Sequence, residues 1–183
     1  MGCASCRDKD REIHVLLLGL PRSGKSTFIY CLDGINELAP YIPTQSSQVS
    51  YMEIFETKFE FYEAGSAQQN RSNWIDYLRY TDAIFYFVDM SDAERLKDAL
   101  FGLKSIMIDK KTEKCSIFVF CNKMDKEYVV EKEQIQKSLE EILSLRKKYS
   151  QVFFVSCIQH DVLLNSIEEV IRSYYPSFAK KKK

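Results

Sequence analysis

The chain has 183 residues, 45% hydrophobic and 28% charged, with 26 basic and 26 acidic side chains in formal balance. That length suits one domain with a core on both faces of a sheet and leaves little room for a second. Balanced charge argues against the broad basic surface of a nucleic-acid binder, so no nucleic-acid partner is expected.

Charge gathers at the two ends, in Arg7, Lys9 and Arg11 and again in Lys180 to Lys183. Four of the six cysteines, Cys31, Cys115, Cys121 and Cys157, sit in apolar or helical stretches and read as buried thiols. They lack the paired spacing of metal ligands, and nothing suggests a secreted disulfide framework, so a reducing, cytosolic compartment is expected. The longest apolar runs, such as residues 84–88, fall far short of the roughly 20 residues that cross a bilayer. Residues 7–12 are almost all charged and contain no secretory h-region.

In chain order, strands are expected over residues 12–18, 49–56, 58–63, 83–89, 116–121 and 151–156. Residues 15–18, 84–88 and 117–121 are continuously apolar, as central parallel strands covered on both faces must be. The second run alternates and suits an edge. Helical spacing marks residues 25–32, 71–80, 92–109, 131–148 and 161–174, with Ile135, Leu139, Ile142 and Leu143 at intervals of three and four. Ser91 followed by Glu94 predicts a capping box at the third helix. Residues 34–48 and 64–70 read as loops, and the alternation of strand and helix predicts a doubly wound α/β sheet.

After the first strand comes Gly19-Leu20-Pro21-Arg22-Ser23-Gly24-Lys25-Ser26, which matches G-x-x-x-x-G-K-[ST] and opens a helix. In this motif glycines let the backbone curl around phosphate, while the amides and the helix N-terminus supply positive potential. Lys25 then reaches the β and γ phosphates, and the Ser26 hydroxyl ligates Mg²⁺. Pro21 removes one backbone donor, leaving the amides of Arg22, Ser23, Gly24, Lys25, Ser26 and Thr27.

The motif does not select a base, but Asn122-Lys123-Met124-Asp125 does. It ends an apolar strand at the carboxyl edge of the sheet, where nucleotides bind. Asp125 can accept from the N1 and N2 donors of guanine, and adenine would leave a buried carboxylate short of partners. Asn122 is expected to brace neighbouring loops, and the Lys123 stem to cover the base.

Together these residues resemble the Ras superfamily, and within it the Arf and Arf-like branch, over residues 12–174. Ile42-Pro43-Thr44 is similar to the I-P-T of switch I, which implies that Thr44 ligates Mg²⁺ and contacts the γ phosphate. Trp74, Tyr77 and residues 83–92 resemble the run from switch II into the fourth strand. Val155-Ser156-Cys157-Ile158 resembles the A-T-C-A loop, which implies that Cys157 and Ile158 back the base, Ile158 through its amide. The implied fold is an α/β P-loop NTPase with a six-stranded, mostly parallel sheet and helices on both faces. The implied cofactors are GTP or GDP with Mg²⁺. Effectors, an exchange factor and a GTPase-activating protein are expected at switches I and II of a monomer.

Switch II departs from the family pattern W-D-V-G-G-Q, for this chain has Tyr62-Glu63-Ala64-Gly65-Ser66-Ala67. Glu63 takes the place of the aspartate that holds Mg²⁺ through water, and Ser66 that of the glycine whose amide meets the γ phosphate. Ala67 stands where the water-orienting glutamine belongs, with Gln68 and Gln69 as candidate catalytic substitutes. Gln45-Ser46-Ser47 replaces the family's I-G-F, so its aromatic partner surface is not carried over. The N-terminus, Met1-Gly2-Cys3-Ala4-Ser5-Cys6, resembles an N-myristoylation signal with Gly2 as acceptor and Cys3 and Cys6 as S-acylation candidates.

The domain expectation is a lipidated, basic segment at 1–11, a nucleotide-binding domain at 12–175 and a basic tail at 176–183. The expected location is cytoplasmic and peripheral on a Golgi or vesicle, plasma or ciliary membrane. Three functions fit: a cycling membrane switch with slow hydrolysis, a hydrolysis-deficient scaffold that stays loaded with GTP, and a small P-loop kinase. Asp125 argues against the last.

Overall fold

The computed structural model describes residues 11–35, 47–64 and 77–176. Strand β1 (Glu12–Gly19) leads into helix α1 (Lys25–Leu32), and β2 (Gln48–Ile54) and β3 (Thr57–Glu63) form a hairpin. There follow β4 (Ala83–Asp89), α2 (Leu96–Ile108), a 3₁₀ turn (Lys110–Thr112), β5 (Ser116–Asn122), α3 (Lys132–Leu143), β6 (Ser150–Phe154) and α4 (His160–Tyr174).

Among the described residues the strands form one six-stranded sheet in the order β2-β3-β1-β4-β5-β6. Of these, only β2 runs antiparallel, at the edge, as its alternating sequence predicts. The apolar strands β1, β4 and β5 are central and parallel. Successive strand residues face opposite sides, and both sides are covered. Ile13, Val15 and Leu17 face α1 and α4, whereas Leu16 and Leu18 face α2 and α3. Phe28 fastens α1 to the sheet, meeting Phe61, Phe85, Phe87 and Phe120 edge-on at centroid distances of 5.2 to 5.9 Å.

Several boundaries differ from expectation for local reasons. The β2–β3 turn consists of Phe55 and Glu56, with φ of 51° and 57°. Two positive φ values in a two-residue loop match the twist of the flanking strands. The usual Asn-Gly signal is absent, so the sequence reads as one strand running on to residue 56.

The capping box of Ser91 and Glu94 does not form. Ser91 instead donates from its amide and hydroxyl to Asp89 Oδ1 at 3.0 and 2.7 Å, and α2 starts later, at Leu96. The accepting role that a capping side chain would play falls to Asp92, whose Oδ1 takes the Arg95 amide at 3.0 Å. Helix α3 ends at Leu143 rather than 148, because Ser144 and Leu145 turn the chain. That turn brings Arg146 onto the carbonyls of Thr112 and Cys115. Strand β6 ends at Phe154, two residues before the expected 156. Of the helix expected over 71–80, only residues 77–80 are described, and Leu78 to Tyr80 form a turn.

Cys31, Cys115, Cys121 and Cys157 are all buried and free, as expected. Burial pushes the Cys121 thiol up to about 12, which leaves it inert as a nucleophile.

The strand order fixes where a ligand can sit. From β1 the chain passes to the edge strand β2, returns through β3 beside β1, then crosses to β4 on the other side. The carboxyl ends of β1 and β4 therefore flank a topological switch point, which opens a crevice.

Candidate nucleotide-binding site

At that crevice β1 ends in Gly19, with φ of 142°. A Cβ there would lie 2.5 Å from the Phe87 carbonyl oxygen, so the strand end admits no side chain. The loop turns back at Arg22, which holds a φ of 68°, and at Gly24, with φ of 100°. A Cβ on Gly24 would lie 2.1 Å from Asn122 Nδ2, so this glycine is required by contact as well as by conformation. Helix α1 begins at once, with no side-chain cap and no acidic residue in its first turn. Its leading amides, including that of the half-buried Thr27, keep their positive potential.

Lys25 is only 4% exposed, and its ammonium donates to the carbonyls of Gly19 and Leu20 at 3.1 and 3.0 Å. Burial lowers this group to about 8, while the Glu63 carboxylate pulls the other way. The cation is thus held inside the loop on neutral acceptors. The Ser26 hydroxyl donates to Glu63 Oε1 at 2.8 Å, across from the end of β3. A hydroxyl and a carboxylate so placed are the hard oxygen donors that Mg²⁺ prefers, and their chemistry fits that ion.

Asn122, at the end of β5, is 2% exposed and joins two loops. Its Nδ2 donates to the Ser23 carbonyl at 2.8 Å, and its Oδ1 accepts the Cys157 amide at 2.9 Å. Because one partner is a carbonyl and the other an amide, the orientation of the carboxamide is fixed. This is the bracing role expected of it.

Lys123 takes a φ of 69° and pairs with Asp89 Oδ2 at 2.6 Å, which ties it to the end of β4. Asp125 accepts from the Ser156 hydroxyl at 2.6 Å and remains partly exposed. Cys157 packs its thiol into the core and commits its amide to Asn122, so it supports the loop from beneath. Ile158 is 55% exposed beside it.

The structure therefore gathers Gly19, Arg22, Ser23, Gly24, Lys25, Ser26, Thr27 and Glu63 at one crevice. Asn122, Lys123, Asp125, Cys157 and Ile158 adjoin it. Thr44, Ser66, Ala67, Gln68 and Gln69 lie outside the described residues, as do Gly2, Cys3, Cys6 and the terminal lysines. At the end of β3, next to Glu63, Tyr62 stacks on Tyr77 with centroids 3.4 Å apart.

Three contributors have roles that the motifs do not assign. Ser156 orients Asp125, Asp89 holds Lys123, and Arg95 Nη1 donates to the Pro21 carbonyl at 3.1 Å. Each contact spans more than 30 residues, and only the i, i+3 pairing of Asp92 with Arg95 is legible locally.

The chain matches the model of the ADP-ribosylation factor family over residues 3–174. It is 32% identical over 152 residues to ADP-ribosylation factor-like protein alp41 of Schizosaccharomyces pombe, covering 82% of this chain and 80% of that protein. It is 30% identical over 134 residues to ADP-ribosylation factor-like protein 2 of Dictyostelium discoideum, covering 73% and 72% respectively. Its fold is similar to that of the Arl6 BBS3 small GTPase of Trypanosoma brucei, solved with the nucleotide analogue GppNp. The TM-score is 0.73 at 20% identity, over 88% of this chain and 96% of that one. The chain belongs to the ADP-ribosylation factor family, the Arf and Arf-like branch of the GTP-binding small GTPase switches.

Proposed function

We propose that residues 12–175 form a switch domain that binds GTP and GDP with Mg²⁺ and hydrolyses GTP slowly when unaided. With the family established, the kinase alternative falls away. The observation that carries the reading is the Asn122 carboxamide, which holds the phosphate loop and the loop beneath the base in one frame. In that frame Lys25 and the amides of residues 22–27 meet the phosphates, while Asp125 reads the guanine edge. Ser26 and Thr44 would hold Mg²⁺ directly and Glu63 would hold it through water, and a bound ion would supply positive charge against the phosphates.

Switch II sets the catalytic limit. Ala67 offers no group to orient water, and Ser66 keeps only its amide for the γ phosphate. Effectors and regulators then meet switches I and II, where bound GTP orders Thr44 and the 63–69 loop. A switch this slow grades into a scaffold held in the GTP state, a second reading favoured by Ala67 and Ser66. At the N-terminus, Gly2, Cys3 and Cys6 would carry acyl chains. A single myristoyl chain binds only marginally, so the second anchor comes from the cysteines or from the basic ends, toward membranes of trafficking or ciliary compartments.

In competition binding, GDP and GTP are expected to displace a fluorescent guanine nucleotide while ATP does not; equal displacement by ATP contradicts the base assignment. Single-turnover hydrolysis is expected to be slow and to rise roughly 10- to 1,000-fold in Ala67→Gln. A rate in the unmodified chain that matches ordinary small GTPases would sink this limit.

Lys25 supplies a pH test. Its folded value of about 8 lies below the ordinary 10.5, because burial disfavours the charged amine. Phosphate favours the charged form, so binding at or above pH 8 is expected to draw in protons. The sign for folding runs the other way. Between 8 and 10.5 the unfolded chain holds more protons on this group than the folded one, so the group's contribution to the stability of nucleotide-free protein rises with pH. Calorimetry of GDP binding in buffers of different ionisation enthalpy reads the uptake directly, and zero uptake contradicts the buried-lysine reading. For the anchor, intact mass of protein from its native cell should show acyl mass on Gly2, Cys3 or Cys6; bare termini refute it.

A further inference from the structure

We propose that Arg95 is a positioning residue that locks the peptide between Pro21 and Arg22, and so aims the Arg22 amide at the bound phosphates. The inference rests on the nucleotide reading of this loop. Arg95 donates from Nη1 to the Pro21 carbonyl at 3.1 Å, across 74 residues of chain. Its Nε and Nη2 both grip Asp92 Oδ2, at 2.7 and 2.5 Å, while its own amide donates to Asp92 Oδ1 at 3.0 Å. The guanidinium is thus fixed from behind by a carboxylate, and its remaining fork reaches the loop. The same bonds hold the Asp92 carboxyl below its ordinary range, so the clamp is charged at neutral pH.

The geometry of the peptide turns this contact into a constraint on the neighbouring donor. The Pro21 carbonyl and the Arg22 N–H belong to one planar trans peptide and point to opposite sides. A carbonyl drawn to α2 therefore turns the Arg22 N–H away from α2. Arg22 also sits at φ 68°, which is costly for a residue with a Cβ and persists only when its surroundings hold it. Pro21 brings no N–H of its own, so its carbonyl is the one backbone group at that residue through which a neighbour can set the plane.

A second contact gives the segment a wider role. Asp89 binds Lys123 at 2.6 Å and the Ser91 amide at 3.0 Å, and it lies shortly ahead of Arg95 in the chain. The stretch from the end of β4 to the start of α2 thus reaches the guanine-reading loop at one end and the phosphate loop at the other.

The experiment compares Arg95→Ala, Arg95→Lys and Asp92→Asn with the unmodified chain by GDP dissociation rate and by the ³¹P resonance of the GDP β phosphate. Arg95→Ala should speed dissociation about tenfold, the loss expected for one charge-assisted hydrogen bond. It should also move the ³¹P resonance. Arg95→Lys keeps the charge and stem but not the fork, so it preserves folding if the alanine variant fails to fold; it should still speed release. Asp92→Asn should act in the same direction with a smaller effect.

Arg172→Ala is the control, because it breaks a comparable ion pair with Glu168 on α4, remote from the loop. It should change neither readout. Unchanged release and ³¹P position in both Arg95 variants overturn the proposal, as does an Arg172→Ala variant that loses nucleotide equally fast. If the unmodified chain binds no GDP, the nucleotide reading itself fails and takes this inference with it.

Discussion

The site depends on one buried carboxamide. Asn122 sits at the end of the central strand β5 and satisfies the Ser23 carbonyl with its amide group and the Cys157 amide with its oxygen. Those partners lie 99 and 35 residues away in sequence, so this one side chain joins the phosphate loop to the loop that follows β6. A buried polar group left without a partner costs about 1 to 3 kcal/mol. Losing this side chain would orphan two of them, so the arrangement is enforced by desolvation as well as by attraction. Gly24 shows how close the fit is, since any side chain there would collide with the same carboxamide.

Around that joint, charge is arranged so that each cation has a neighbour. Lys25 rests on two carbonyls within reach of Glu63, Lys123 is paired with Asp89, and Arg95 with Asp92. The sheet makes this possible, because the carboxyl ends of β1, β3, β4 and β5 bring Gly19, Glu63, Asp89 and Asn122 to one edge. Hydrophobic packing supplies the rigidity beneath it. Phe28 lies in the same helical turn as Lys25 and meets rings from three strands, so the helix that carries the lysine and Ser26 cannot shift without opening the core.

Much of this is legible in the sequence where the signal is local. Continuous apolar runs mark the central strands, and the two motifs each follow such a run, so the residues alone place both motifs at the carboxyl edge of a parallel sheet. What escapes is decided by distant partners or by unusual backbone. Phe55 and Glu56 turn a hairpin at positive φ without glycine or asparagine, and Ser91 abandons its capping box for the Asp89 carboxylate. Arg95 shows locally as an ordinary i, i+3 pair with Asp92, and its bond to Pro21 becomes visible only when the strand order brings α2 beside the phosphate loop.

The joint at Asn122 is tested most directly by the rate at which GDP leaves Asn122→Ala. Two bonds of about 1 to 3 kcal/mol each would raise that rate on the order of 100-fold or more. Release should be faster even where circular dichroism shows the fold intact. Release as slow as that of the unmodified chain would contradict a site held together by this carboxamide.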